Sequence, residues 1–315
     1  MTAATDTPMP GVHGRTLTKG HGTGNDFLLY ADADGQHPLT DEELVVLTDR
    51  HTGIGADGVI RAVRTGASSD AADQAEAAEW FMDYRNADGS IAQMCGNGIR
   101  VYVAYLEHLG LVALAPGQSI PIATRAGTLT VRKEDDGYAV DMGPWQAPGG
   151  ESAIADGFDV TVVLAGLDQP RPGLRLDLPN PHVVIALADR ERLDEVDLAT
   201  APIVDPPPSH GTNTELVVPL GERTVDLVDD DGQVVGTESI GVVQMRVHER
   251  GVGETLSCGT GACAAAIATR IWFGQGAPDE WVVLVPGGQL RVRMLPEQSV
   301  ELAGPAELIG TITLL

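Results

Sequence analysis

The chain is poor in cysteine, in lysine and in cationic charge altogether, and each shortage closes off a class of function. Three of the 315 residues are cysteines, Cys95, Cys258 and Cys263. That number is odd and too small for a secreted disulfide framework, so a reducing compartment, the cytoplasm, is expected. Lysine occurs only at Lys19 and Lys133. A pyridoxal-phosphate enzyme needs a Schiff-base lysine, and neither stands in a supporting motif, so no cofactor of that kind is expected. With 20 Lys and Arg against 45 Asp and Glu the net charge is −25. Nucleic-acid phosphates require clustered cations, which excludes a nucleic-acid partner. The acidic runs Asp70–Glu79 and Asp226–Asp231 read as solvated surface. No apolar stretch reaches the length of a membrane span, and the polar segment Met1–Lys19 lacks a signal-peptide core. No membrane partner is expected either.

What the chain does contain is a repeat. The phrase Cys-Gly-x-Gly occurs as Cys95-Gly96-Asn97-Gly98 and again as Cys258-Gly259-Thr260-Gly261, each time opening an apolar segment. Asn86 and Glu249 each stand nine residues before their cysteine. Asn25 and Asn180 each head a strand-like run, Asn-Asp-Phe-Leu-Leu and Asn-Pro-His-Val-Val-Ile. The length favours about two domains and the 43% apolar fraction supports packed cores.

Short β-branched runs punctuated by Gly, Asp-Gly and Pro predict hairpin-rich sheets. Gly127–Arg132, Tyr138–Met142, Val242–His248, Trp281–Val285 and Gln289–Met294 are examples. Thr40-Asp-Glu-Glu43 has the form of a capping box and predicts a helix to about Arg50. Ile99–Leu109 and Ala262–Phe273 are apolar on nearly every side and stop at Gly110 and Gly274, as buried helices do. The expected fold is α/β of the α+β type. It has two pseudo-symmetric halves, each a curved, mainly antiparallel sheet around one central buried helix with a Cys at its N-terminus. Gly143–Gly150 is the candidate linker, and Ala67–Ala78 and Asp205–Gly211 read as surface loops.

A helix N-terminus offers unpaired N–H groups and a positive dipole end, which stabilise a thiolate and a bound anion. Two such termini meeting one amino-acid carboxylate would set a sulfur on each face of its α-carbon. One sulfur as thiolate takes the proton and the other as thiol returns one, a cofactor-free racemase or epimerase. The two thiols would titrate as a coupled pair. Cys263, within the apolar run, reads as a buried core residue. His182 shares a strand face with Asn180 and is expected beside a catalytic sulfur, as is Glu249. Asn25, Asn86, Asn180 and Asn213 supply neutral donors and acceptors for a zwitterion.

These residues resemble the diaminopimelate epimerase family. The resemblance rests on His21-Gly-Thr-Gly-Asn-Asp-Phe27, Arg50-His-Thr-Gly-Ile-Gly-Ala-Asp57, Asn86-Ala-Asp-Gly-Ser90 and Met94-Cys-Gly-Asn-Gly98. It continues through Asn180-Pro-His182, Glu249-Arg-Gly-Val-Gly-Glu-Thr255, Ser257-Cys-Gly-Thr-Gly-Ala262 and Gly304-Pro-Ala-Glu307. It implies a pyridoxal-phosphate-independent enzyme that interconverts LL- and meso-2,6-diaminopimelate for lysine and peptidoglycan synthesis, with no cofactor and no metal. Cys95 and Cys258 would be the acid/base pair, and His182 and Glu249 supporting catalytic residues. Gly96, Asn97, Gly259 and Thr260 would bind the reacting carboxylate. Asn25, Asn86, Asn180, Asn213, Glu249 and Arg250 would line the rest of the substrate site. Arg250 can grip a carboxylate bidentately. The resemblance further implies a C-terminal strand returning to the first half, hence halves 1–143 with 301–315 and 144–300, and a homodimer. Thr212 before Asn213 departs from the Arg or Val of the family pattern, and Ala67–Ala78 is longer than typical.

Three other readings compete. A proline or hydroxyproline racemase of the same fold would carry His where Asn97 stands. A dithiol redox protein would favour closely spaced cysteines, absent here. A zinc site could use two Cys and His182, but the glycine frames suit an anion better than a cation.

Overall fold

Strands form where the β-branched runs lie, and the helices stand where caps and glycines bound the apolar segments. A computed structural model describes residues 14–228 and 233–315. The N-terminal stretch before residue 14 and part of the acidic run Asp226–Asp231 lie outside the described residues. The chain divides into two compact units, residues 1–138 with 306–315 and residues 139–305.

In chain order the elements are β1 (Thr16–Gly22), β2 (Asn25–Ala31), α1 (Asp41–Thr48), β3 (Gly58–Arg64), β4 (Trp80–Asn86), α2 (Gly96–His108), β5 (Ser119–Thr124), β6 (Gly127–Glu134) and β7 (Gly137–Pro144). There follow α3 (Gly150–Asp156), β8 (Val160–Val163), β9 (Arg171–Leu178), β10 (Asn180–Ala186), α4 (Arg190–Glu195), β11 (Ile203–Asp205), β12 (Asn213–Val228) and β13 (Val234–Glu249). The last are β14 (Gly253–Thr255), α5 (Gly259–Phe273), β15 (Glu280–Val285), β16 (Gly288–Met294), β17 (Ser299–Gly304) and β18 (Glu307–Thr313).

In the first unit the strands run β18-β1-β2-β3-β4-β5-β6. The pairings β2–β3 and β4–β5 are parallel and the others antiparallel. Strands β18, β1, β2, β3, β4 and β6 all touch the single helix α2, which a sheet can do only by curling around it. Phe27, Leu28, Leu29 and Tyr30 of β2 are all buried, because β2 is covered on both faces. Leu28 and Tyr30 pack with Leu44 and Leu47 of α1. Helix α1 starts with the expected capping box: Glu43 N–H donates to Thr40 Oγ1 at 3.2 Å and Thr40 N–H to Glu43 Oε2 at 2.8 Å. The Ala-rich stretch 65–79 is the loop of the β3–β4 hairpin.

The second unit repeats this order around α5. Strands β9-β10-β12-β13-β15-β16 alternate antiparallel, parallel, antiparallel, parallel and antiparallel, as β1 to β6 do. β8 and β11 extend one side and β17 the other. Val183 and Ile185 of β10 pack with Leu193 of α4 and Leu216 of β12. Helix α5 is buried from Ala262 through Thr269, and Cys263 is fully buried within it as expected. It ends at Gly274, whose φ of 76° lies in the left-handed region that glycine adopts without strain. The fold is thus mixed α and β, two repeats of one sheet-around-helix plan.

Candidate active site

Each repeated cysteine is the N-cap of its unit's central helix. Cys95 precedes α2 with extended backbone, and its Sγ accepts the amide of Gly98 at 3.4 Å. Cys258 precedes α5 in the same conformation, and its Sγ accepts the amide of Gly261 at 3.4 Å. A capping sulfur in this position lies at the positive end of the helix, beside the amides of the first turn. The glycines leave no side chain over that end. An ideal Cβ on Gly98 would lie 3.3 Å from Cys95 Cβ, and one on Gly261 3.3 Å from Cys258 Sγ.

In the first unit a charged network aims an asparagine at Cys95. Arg50 Nη2 bridges Asp26 and Asp57 at 2.7 Å each, and Lys19 pairs with Asp26 as well. Asp57 Oδ2 accepts from Asn25 Nδ2 at 2.7 Å. With its amino group so fixed, Asn25 turns Oδ1 to the sulfur, where Cys95 Sγ donates at 3.5 Å and Asn97 Nδ2 at 3.4 Å. Burial would raise the Asp26 carboxyl, but the hydrogen bonds and charges of Arg50 and Lys19 hold it at about 2. Asn97 and Arg100 are both fully buried. Arg100 donates to Asn97 Oδ1 at 3.1 Å and to Gly96 O at 3.1 Å, so the Asn97 side chain is held between Arg100 and Asn25. Asn86 ends β4 opposite Gly58 and donates to Ser90 Oγ at 3.0 Å.

The second unit builds a different environment around its sulfur. Cys258 is buried and 3.6 Å from Thr260 Oγ1. Burial pushes its thiol well above 9.0, and the carboxylates of Glu249 and Glu215 push it the same way, against the Thr260 hydroxyl and the Gly261 amide. Desolvation and two negative charges thus outweigh the helix end at this cysteine and favour its thiol form. Glu249 ends β13 and takes a short hydrogen bond from Thr255 Oγ1.

His182 is buried between two acceptors, Glu215 Oε1 at 2.7 Å from Nδ1 and Asn180 Oδ1 at 3.0 Å from Nε2. Asn213 starts β12 opposite His182. Its Nδ2 donates to Pro181 O at 3.3 Å and its Oδ1 accepts the Arg250 amide at 2.9 Å, so it ties two strands to the turn carrying Arg250. The Arg250 guanidinium is exposed and donates to His210 O at 2.8 Å.

Within the first unit the structure thus groups Asn25, Cys95, Gly96 and Asn97, with Asn86 ending a strand of the same sheet. Within the second it groups Cys258, Gly259, Thr260, Glu249, His182 and Asn180, with Asn213 beside Arg250. Asp57, Arg50 and Arg100 in one unit and Glu215 in the other were not singled out from sequence. Asp57 and Arg50 bound a motif that carried the family resemblance. Glu215 is an acid directly before the apolar run Leu216–Leu220, which was the available signal.

A family model described as diaminopimelate epimerase matches residues 17–147 and 176–309. The diaminopimelate epimerase of Streptomyces coelicolor is 38% identical over 306 residues, covering 93% of this chain and 92% of that protein. That of Thermobifida fusca is 40% identical over 301 residues, covering 93% and 96%. A solved structure of a Bacillus anthracis phenazine biosynthesis protein of the PhzF family aligns with a TM-score of 0.61 at 16% identity, over 96% of this chain and 99% of that one. That likeness is one of fold.

Proposed function

The chain belongs to the diaminopimelate epimerase family, and from that premise we propose that it interconverts LL- and meso-2,6-diaminopimelate with Cys95 and Cys258 as the acid/base pair. Inversion requires a proton to leave one face of the α-carbon and another to arrive on the opposite face. One thiol as thiolate takes the first, the other as thiol gives the second, and the roles exchange in the reverse direction. The observation that carries this reading is the matched N-cap geometry, each sulfur 3.4 Å from the third amide of a buried helix. Loss of the α-proton moves negative charge onto the carboxylate. Donors and dipoles already fixed at the helix ends stabilise that charge without reorganisation, and Gly96, Asn97, Gly259 and Thr260 supply them.

Asn25 holds the Cys95 thiol by its Oδ1, while His182 and Glu249 set the charge around Cys258. Asn86, Asn180, Asn213 and Arg250 recognise the distal amino-acid group. The Arg250 guanidinium would exchange the His210 carbonyl for a carboxylate. The chain works on a small molecule in the cytoplasm and pairs as a homodimer. No described helix is long and apolar enough to cross a membrane.

Incubating the protein with LL-diaminopimelate under reducing conditions tests the proposal. Meso isomer should form, and Cys95→Ala and Cys258→Ala should each abolish its formation. Inversion of proline or hydroxyproline instead would keep the chemistry and overturn the substrate. Full activity in either cysteine variant would overturn the two-thiol pair.

A further inference from the structure

His182 and Glu215 occupy positions at which the first unit carries phenylalanine and isoleucine. β2 and β3 pair in parallel with Phe27 opposite Gly58, and β10 and β12 pair in parallel with His182 opposite Asn213. Counted from the asparagines that head β2 and β10, His182 stands in the place of Phe27. Glu215, two residues beyond Asn213, stands in the place of Ile60, two beyond Gly58. The surface they pack on is equivalent too. A Cβ on Gly98 would meet Ile60 Cδ1 at 3.3 Å and Phe27 Cζ at 3.4 Å, while one on Gly261 would meet Glu215 Oε1 at 2.7 Å.

The fold therefore accepts an apolar pair beneath the first turn of its central helix, and one unit uses it. The other buries His182 at 1% and Glu215 at 0% exposure. A buried ionisable pair is no better for stability than an apolar pair of similar volume, and often worse. Glu215 Oε2 moreover has no hydrogen-bond partner among the described residues, an arrangement that stability alone does not favour. Packing gives no reason for the acid, whereas proximity to the sulfur does. The Gly261 position is 2.7 Å from Glu215 Oε1 and 3.3 Å from Cys258 Sγ, which puts those two atoms within about 6 Å of each other.

We propose that Glu215 is a positioning residue of the epimerase site, whose carboxylate fixes a proton on Nδ1 of His182 and leaves Nε2 as the ring nitrogen that exchanges one. The proposal rests on the reading of His182 as a supporting catalytic residue. An ionised carboxylate only accepts, so at 2.7 Å the hydrogen belongs to Nδ1. Nε2 faces Asn180 Oδ1 at 3.0 Å, to which it donates whenever it carries the exchangeable proton. The charged and titratable groups around the pair are Asp177 on β9, Glu249 at the end of β13 and Cys258 at the start of α5. A histidine with its tautomer fixed by a buried acid is oriented for its task, and losing a partner that orients a functional histidine costs about tenfold to a hundredfold in activity.

The test is proton and 15N NMR of 15N-histidine-labelled full-length protein, with the His182 ring identified by its absence in His182→Gln. In the wild type the Nδ1 proton should be present, far downfield and slow to exchange. In Glu215→Gln it should move upfield, and kcat for diaminopimelate should fall at least about tenfold with KM little changed, since Glu215 is placed to touch the histidine and not the substrate. A bare Nδ1 in the wild type overturns the proposal, and that reading stands even if Glu215→Gln does not fold. A folded Glu215→Gln with wild-type kcat overturns it too. Absence of diaminopimelate turnover by the wild type would count against the activity, not against the histidine's tautomer, so the two failures are separable.

Discussion

Replacing Arg50 by glutamine should cost stability in a way that depends on pH, because the guanidinium acts through a carboxylate whose titration is displaced. Burial works to raise the Asp26 carboxyl, yet hydrogen bonds and charges from Arg50 and Lys19 hold it at about 2 instead of 3.8. The difference corresponds to about 2.5 kcal/mol for the ionised group in the folded chain. Arg50 supplies only part of it. Lys19 remains in the variant, and the Arg50 side chain is 54% exposed, where solvent screens the pair, so the expected loss is about 1 kcal/mol at pH 7. Asp26 is lower in the folded than in the unfolded chain, so its contribution is complete above the unfolded value and is lost as pH falls toward the folded one. The part that depends on Arg50 is lost later still, and by pH 2 only about a third of it should remain. Urea denaturation of wild type and Arg50→Gln at pH 7 and pH 2, followed by circular dichroism, measures both differences. The same loss at both pH values would refute the electrostatic account of this network.

Two further outcomes are expected. Gly98→Ala should change stability by no more than about 1 kcal/mol, since helix propensity offsets mild crowding. Gly261→Ala should destabilise by about 1–2 kcal/mol and lower kcat, because its Cβ displaces Glu215 from a charged hydrogen bond to His182; equal effects in thermal unfolding would contradict the packing described. Burial and the charges of Glu249 and Glu215 raise the Cys258 thiol above 9.0, so the folded chain holds that proton more tightly than the unfolded one. The associated stability is present below pH 9 and declines above it. The melting temperature of the wild type should therefore fall more steeply between pH 8 and pH 10 than that of Cys258→Ala, and parallel curves would show that the thiol is not displaced.

Much of this architecture could be read from short local signals. The two Cys-Gly-x-Gly phrases marked helix starts because a cap and a following apolar run are neighbours in sequence. The capping box at Thr40 was legible for the same reason. Strand pairing was less so: the parallel pairings β2–β3 and β10–β12 each cross an intervening helix, and nothing local encodes them. The second rank of the site was hidden for a related cause. Asp57 reaches Asn25 across 32 residues, and Glu215 reaches His182 across 33, so each appears in sequence only as an acid beside apolar neighbours. The upward push on the Cys258 thiol was not legible, because the helix end is a local feature, whereas Glu215 and Glu249 come from two other strands.

The central claim is that two thiols, one giving and one taking, carry out inversion. Its most direct test is the isotope content of product and of unreacted substrate in the first few per cent of turnover in D2O, in each direction. The two-thiol account predicts one solvent deuterium at the inverted α-carbon of every product molecule, while the remaining substrate still carries protium. Product that retains the substrate's own hydrogen, or substrate that exchanges as fast as product forms, would mean that a single base serves both faces, and would contradict the account.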